Sequence, residues 1–280
     1  MNIEELTAPI AMHRLASDGF LLVSVPDDTR SAIDSTFRQG AAFFRQPVEA
    51  KMTSSLVGDL GFRAFGVEHS SSPERPDQME SFTVDRRSAD RLRQLPNTCG
   101  RVLSNDMAHT LELFASVATS LTRSLARLFG HDSDGLLSSS VADWSILQIN
   151  FSRPSQTHGG YINEVHEDGC LLTVAAVTGH GLEIQNNGGR FAPVTPAHDQ
   201  LVVFPGEILY LLSAGLIKPC YHRVNVLDYL PERMSLLLFA DVDPNLCQPW
   251  VTGDANREVN IGERVLKNSM RFGLEEWTGK

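Results

Sequence analysis

His166 and Asp168 stand one residue apart in the run Val165-His166-Glu167-Asp168-Gly169. Along an extended chain side chains alternate between faces, so this imidazole and this carboxylate project to the same side. Such a pair can grip one metal ion, but two protein ligands do not set a coordination geometry, and a third must come from another strand. His222, within Cys220-Tyr221-His222-Arg223-Val224, is the candidate. Two imidazoles and one carboxylate make the three-point face that holds non-haem Fe(II) and leaves positions open for a cosubstrate and O2. A His-x-Asp pair alone is common by chance, and its weight here comes from the company it keeps.

Part of that company is Arg233-Met234-Ser235, reached from His222 after ten intervening residues. The same period of two puts a guanidinium and a hydroxyl on one face, a donor set suited to an anion. Arginine offers a rigid fork that matches a carboxylate bidentately, and serine adds a donor beside it. A lone arginine is most often a surface cation. Arg233, however, is followed by Met234 and by Leu236-Leu237-Leu238-Phe239, a strand with the look of burial, where an unpaired arginine is costly. The joint pattern reads as a metal beside a pocket for a dicarboxylate.

These residues need a scaffold, and the texture of the chain past residue 143 supplies one. Short aliphatic runs bounded by Gly, Pro, Asn and Asp predict strands over Ser145–Phe151, Cys170–Val177, Leu182–Gln185, Phe191–Thr195, Leu201–Phe204, Ile208–Leu212, Cys220–Val226 and Met234–Ala240. The expected fold class is α+β with a mainly β core, a double-stranded β-helix (jelly roll), flanking helices and an N-terminal mixed segment. Upstream, Gly19–Val25 reads as a strand stopped by Pro26, and Ile33, Phe37, Ala41 and Phe44 predict a helix over Thr29–Arg45. A loop-like stretch over 54–85 ends in a strand, Glu80–Val84. Met107, Leu111, Phe114, Ala118, Leu121, Leu125 and Leu128 predict a long scaffold helix capped by Gly130, and 256–272 reads as a further helix.

The constellation resembles the isopenicillin N synthase-like superfamily of Fe(II)- and 2-oxoglutarate-dependent dioxygenases. His166, Asp168, His222, Arg233 and Ser235 match its HxD…H…RxS signature in order and spacing. Flanking text agrees: Leu171-Leu172-Thr173, Gly181-Leu182-Glu183-Ile184-Gln185 and His222-Arg223-Val224. The N-terminal part is similar too, with Asp18-Gly19-Phe20, Phe43-Phe44, Pro47, Glu49, Lys51, Gly61-Phe62, Asp77 and Glu80. The resemblance implies regions 1–97 (N-terminal dioxygenase-type), 98–143 (scaffold helix), 144–250 (jelly-roll core) and 251–280 (C-terminal helix and tail). It implies that His166, Asp168 and His222 ligate Fe(II), and that Arg233 and Ser235, with Asn150 nearby, hold the cosubstrate 2-oxoglutarate. Phe62, Arg63, Glu80 and His158 become the candidates for substrate contact. Where the family often reads Asn-Tyr-Tyr-Pro, this chain has Asn150-Phe151-Ser152-Arg153-Pro154, so Ser152 stands in place of a tyrosine that contacts the cosubstrate.

The activity so implied is oxidation of an unactivated C–H bond of a small metabolite by O2, as hydroxylation, desaturation or cyclisation, with release of succinate and CO2. A bacterial-type tailoring enzyme of natural product biosynthesis is the expected setting. Two alternatives stay open: a 2-oxoglutarate-independent iron oxidase of the isopenicillin N synthase type, and a metal- or ligand-binding jelly roll without turnover. Across 280 residues the net charge is −10, which disfavours a nucleic-acid partner. No stretch has the apolar length of a membrane span and no signal-peptide pattern opens the chain, so a cytoplasmic monomer or weak homo-oligomer is expected. Cys99, Cys170, Cys220 and Cys247 form no CxxC pair and read as reduced thiols, Cys220 as a small buried hydrophobe. The remaining histidines lack a partner at ligand spacing; His158, before Gly159-Gly160, is the one placed to line a substrate mouth.

Overall fold

Alternation along the strands decides the architecture, because nearly every strand of the main sheet is buried on both faces and each face has its own character. The computed structural model describes residues 8–56, 60–131, 137, 141–153, 160–186, 188–227 and 232–270. In chain order the elements are α1 (Ala8–Ser17), β1 (Leu21–Ser24), α2 (Asp27–Phe44), α3 (Val48–Met52), β2 (Gly61–Arg63), β3 (Glu80–Asp85), α4 (Ala89–Arg93), α5 (Thr98–Leu128) and α6 (Val141–Trp144). There follow β4 (Ile146–Ser152), β5 (Tyr161–His166), β6 (Leu172–Val177), β7 (Leu182–Gln185), β8 (Phe191–Pro193), β9 (Gln200–Pro205), α7 (Glu207–Leu212), β10 (His222–Asn225), β11 (Arg233–Ala240) and α8 (Ile261–Met270).

Two antiparallel sheets form a jelly-roll core: a seven-stranded one in the order β1-β9-β6-β11-β4-β3-β2, and a four-stranded one in the order β5-β10-β7-β8. The N-terminal β1, β2 and β3 are thus strands of the same large sheet as the core. On β11, Leu236, Leu238 and Ala240 point to the helices, with Leu147, Ile149 and Phe151 of β4 and Val174 and Ala176 of β6 beside them. The opposite face, carrying Ser235, Leu237 and Phe239, looks toward the small sheet. There Ala175, Val202 and Phe204 pack against Ile162, Leu182, Ile184 and Val224. A strand covered on both sides loses the clean polar–apolar alternation of a half-exposed one.

The predicted scaffold helix is present and longer than its apolar stripe. Asn97 caps its start by accepting from the Gly100 N–H at 3.0 Å. At its end Gly130 takes φ +72, so that the Gly130 N–H reaches the Arg127 carbonyl and the His131 N–H that of Ala126, the paired bonds of a Schellman cap. Pro26 and Pro47 do more than stop what precedes them. Each stands at the N-cap of the next helix, α2 and α3, where a missing N–H costs nothing. No helix among the described residues is long and apolar enough to cross a membrane.

Two element expectations are corrected. Ile208–Leu212 is not a strand but the buried helix α7, because a short apolar run has no periodicity to separate the two states. Tyr161–His166, absent from the expected strands, is strand β5.

The N-terminal helices dock through aromatic and ionic contacts. Phe43 meets Phe62 and Phe82 edge-on, with centroids at 5.7 and 5.1 Å, and Phe44 stacks on Phe151 at 5.0 Å. Beside them the Lys51 ammonium pairs with the Glu80 carboxylate and donates to the Phe44 carbonyl, both side chains buried. Removing one partner of such a pair strands the other's charge. Lys51→Ala is therefore expected to lose about 3–5 kcal/mol in guanidinium unfolding. The double variant Lys51→Met with Glu80→Leu should lose less than the single one.

Candidate active site

The small sheet brings two histidines face to face. His166 closes β5, His222 opens β10, and the antiparallel register sets them directly opposite, with ring centroids 4.2 Å apart. Asp168 lies two residues beyond the end of β5. Its main-chain carbonyl accepts from the Glu207 N–H at 2.9 Å, so the start of α7 clamps the turn. Gly206 makes this approach possible, since a Cβ there would fall 2.1 Å from the Cys170 carbonyl oxygen. Asn268 of α8 holds the same turn by donating to the Gly169 carbonyl at 2.6 Å.

Side-chain bonds then aim the ligand atoms. Nδ1–H of His166 donates to the Glu164 carbonyl at 2.6 Å and that of His222 to the Cys220 carbonyl at 3.1 Å, which turns both Nε2 lone pairs inward. The Thr173 hydroxyl donates to Oδ2 of Asp168, leaving Oδ1 facing Nε2 of His166 at 3.7 Å and Nε2 of His222 at 4.0 Å. Burial and the neighbouring His166 push the His222 imidazole below its ordinary pKa, keeping it neutral. Three donor atoms within 4.8 Å of one another, two of them imidazole nitrogens and one a carboxylate oxygen, fit a divalent iron. Cys220 packs in the apolar layer between the sheets, and burial together with Asp168 raises its thiol pKa, so it stays protonated.

The triad opens on a cavity of about 490 Å³ that also contains Arg233, Ser235 and Asn150. Arg233 is 5% exposed, yet no carboxylate among the described residues lies within ion-pair distance of it. Its one hydrogen-bond partner among the described residues is the His180 carbonyl, which accepts from Nε at 3.0 Å, and burial lowers its pKa to about 10, still cationic at neutral pH. A buried guanidinium with unspent donors is arranged for an anion from outside. Ser235 shares its face and pairs across the ladder with Asn150; Ser152 stands opposite Arg233 and is buried on the same face.

Farther along this face, Arg63 of β2 reaches Ser81 at 3.1 Å, Thr83 at 2.8 Å and Gln148 at 2.6 Å, and pairs with Glu68 at 3.1 Å. Arg63 thus lines the cavity. Phe62 and Glu80 do not, and the expectation that they touch substrate is corrected: alternation along β2 and β3 sends both to the helix side, Phe62 against Phe43 and Glu80 to Lys51. His158 lies outside the described residues. Sequence reasoning assigned no role to Glu68, Asp77, Gln148, Asn163, Thr173 or Asn268. Thr173 and Asp77 carried a signal, Thr173 in the Leu-Leu-Thr text that follows the HxD pair and Asp77 in the N-terminal resemblance.

Comparison with known proteins agrees with this geometry. Residues 144–241 match the 2OG-Fe(II) oxygenase superfamily. A 2-oxoglutarate-dependent dioxygenase of Gibberella zeae is 24% identical over 248 residues, 79% of this chain and 71% of its own length. Scopoletin 8-hydroxylase of Arabidopsis thaliana is 24% identical over 208 residues, 72% of this chain and 57% of its own length. Among solved structures, full-length Neurospora crassa T7H in complex with alpha-KG and thymine superposes with a TM-score of 0.72 at 20% identity, covering 95% of this chain and 91% of that one. The rice dioxygenase for auxin oxidation gives 0.66 at 21%, covering 83% and 78%. These structural likenesses establish a shared fold.

Because Thr173 orients the carboxylate ligand, Thr173→Val should weaken Fe(II) binding roughly 10- to 100-fold without unfolding the protein. Competition against a coloured chelator measures it, with circular dichroism as the check on folding.

Proposed function

We propose, from the match of residues 144–241 with the 2OG-Fe(II) oxygenase superfamily, that this chain is an enzyme working with Fe(II) and 2-oxoglutarate, in which His166, Asp168 and His222 hold the iron and Arg233 and Ser235 anchor the far carboxylate of 2-oxoglutarate. The observation that carries this reading is a buried guanidinium, without an acidic partner among the described residues, in the same cavity as the three converging side chains. Bound together, Fe(II) and 2-oxoglutarate supply the power to activate O2 and oxidise an unactivated C–H bond, leaving succinate and CO2.

The chain's own residues bind, orient and keep dry. The backbone carbonyls of Glu164 and Cys220 fix the histidine tautomers, and Thr173 holds Asp168 so that one oxygen stays free for the metal. Arg233 neutralises the anion it binds, and the Ser235 hydroxyl adds a donor on the same face. Asn150, whose carbonyl oxygen accepts from Gln148 at 2.7 Å, keeps its amide donors for the cosubstrate beside Ser235. Val177, Leu182, Phe204, Val224 and Leu237 give the cavity apolar walls that limit water around the reacting atoms. A cavity of about 490 Å³ and a net charge of −10 support a small molecule as substrate.

The test is succinate release by the protein on screening small metabolites, with product mass giving the reaction type. Release should require Fe(II) and 2-oxoglutarate, and should vanish in His222→Ala. Removing the buried cation costs 2–5 kcal/mol of binding in comparable pairs, so Arg233→Met should weaken 2-oxoglutarate about 30-fold to several thousandfold in isothermal titration. Arg233→Lys should fall between the two, because a point charge cannot reproduce the fork.

A further inference from the structure

Apart from the proposed metal ligands and Arg233, the acidic side chains lining the cavity are three, Glu68, Asp77 and Glu167, against a single guanidinium, Arg63. Arg63 is committed to Glu68 and to its neighbours on the sheet. Asp77 has no such cation among the described residues. It is 4% exposed, its Oδ2 accepts from the Ser70 hydroxyl at 2.7 Å, and its Oδ1 is buried without any hydrogen-bond partner. Oε2 of Glu167 is in the same condition. Of the buried side-chain atoms left without a partner among the described residues, the two that belong to cavity-lining residues are both carboxylate oxygens.

We propose that the substrate carries a cationic nitrogen, a primary ammonium or a guanidinium-type group, that binds Asp77. This rests on the oxygenase reading above and names the substrate class for the same cavity. The reasoning that assigns an anion to Arg233 applies here with the sign reversed: a buried carboxylate oxygen without a donor is costly until a ligand brings one. Burial pushes the Glu68 carboxyl up and Arg63 pulls it down, while the nearby Asp77 pushes it up again, so this wall sets two acidic groups close together. A substrate carboxylate placed here would face like charges; an ammonium would satisfy the orphan oxygen and offset the excess. His69, at the exposed rim, does not fill that role.

The experiment is anaerobic isothermal titration of the Fe(II)- and 2-oxoglutarate-saturated protein with matched compounds differing only in charge. One set is tyramine, N-acetyltyramine and 4-hydroxyphenylacetate; the other is pentylamine, N-pentylacetamide and pentanoate. The expected result is an ammonium bound at least about tenfold tighter than the carboxylate on the same skeleton, with the amide between them. In Asp77→Asn the preference should shrink to within about threefold. Parity or a preference for the carboxylate in both sets, or a preference unchanged by Asp77→Asn, overturns the inference. Failure of the wild-type protein to bind 2-oxoglutarate overturns the oxygenase reading instead, so the two failures are told apart.

Discussion

Arg233 sits in a strand of leucines, sealed from water, with no acid among the described residues to meet its charge. Holding a guanidinium there is unfavourable unless an anion arrives, and the surrounding sheet is built to tolerate that state. The carbonyl of His180 takes one donor, Ser235 lies one period along, and the ladder to β4 fixes both against Asn150 and Ser152. The metal ligands pose the complementary problem: three donor atoms converge with their lone pairs turned inward and await a cation. Charge withheld from partners within one cavity is the constraint on which the rest of the molecule depends.

The fold meets this constraint by giving each face of the large sheet a separate task. The helix side takes Leu147, Ile149, Phe151, Leu236 and Leu238 against α2 and α5, with the buried Lys51–Glu80 pair at its edge. That packing makes the sheet rigid enough to present polar groups on its other side. The small sheet then closes over the cavity and contributes both histidines from paired strands, so the register of β5 against β10 sets the spacing of two ligands at once. A slip of one residue would send either histidine to the wrong face.

Much of this was legible in the residues. Alternation within His166-Glu167-Asp168 and Arg233-Met234-Ser235 grouped side chains that the fold does bring to one cavity, and the long amphipathic stripe ending at Gly130 located the scaffold helix. The readings that failed did so for definite reasons. A run such as Ile208–Leu212, buried all round, offers no period to distinguish helix from strand. Phe62 and Arg63 are adjacent, and a strand of three residues does not disclose which of them faces inward, so Phe62 and Glu80 were credited to the wrong side. Glu68 and Asp77 come from a connector without periodicity, tied to each other by the Asp77 N–H and the Glu68 carbonyl at 2.8 Å. Only the folded chain brings them to the cavity.

The central claim is that one cavity holds Fe(II) on His166, Asp168 and His222 within reach of a 2-oxoglutarate anchored by Arg233. Its most direct test is the visible spectrum of the Fe(II)-loaded protein under strict exclusion of O2 while 2-oxoglutarate is added. The account predicts that a charge-transfer absorption grows with 2-oxoglutarate in the wild-type protein and is missing in His166→Ala, which should retain little iron. A wild-type spectrum that stays featureless, together with equal iron binding by wild type and His166→Ala, would contradict it.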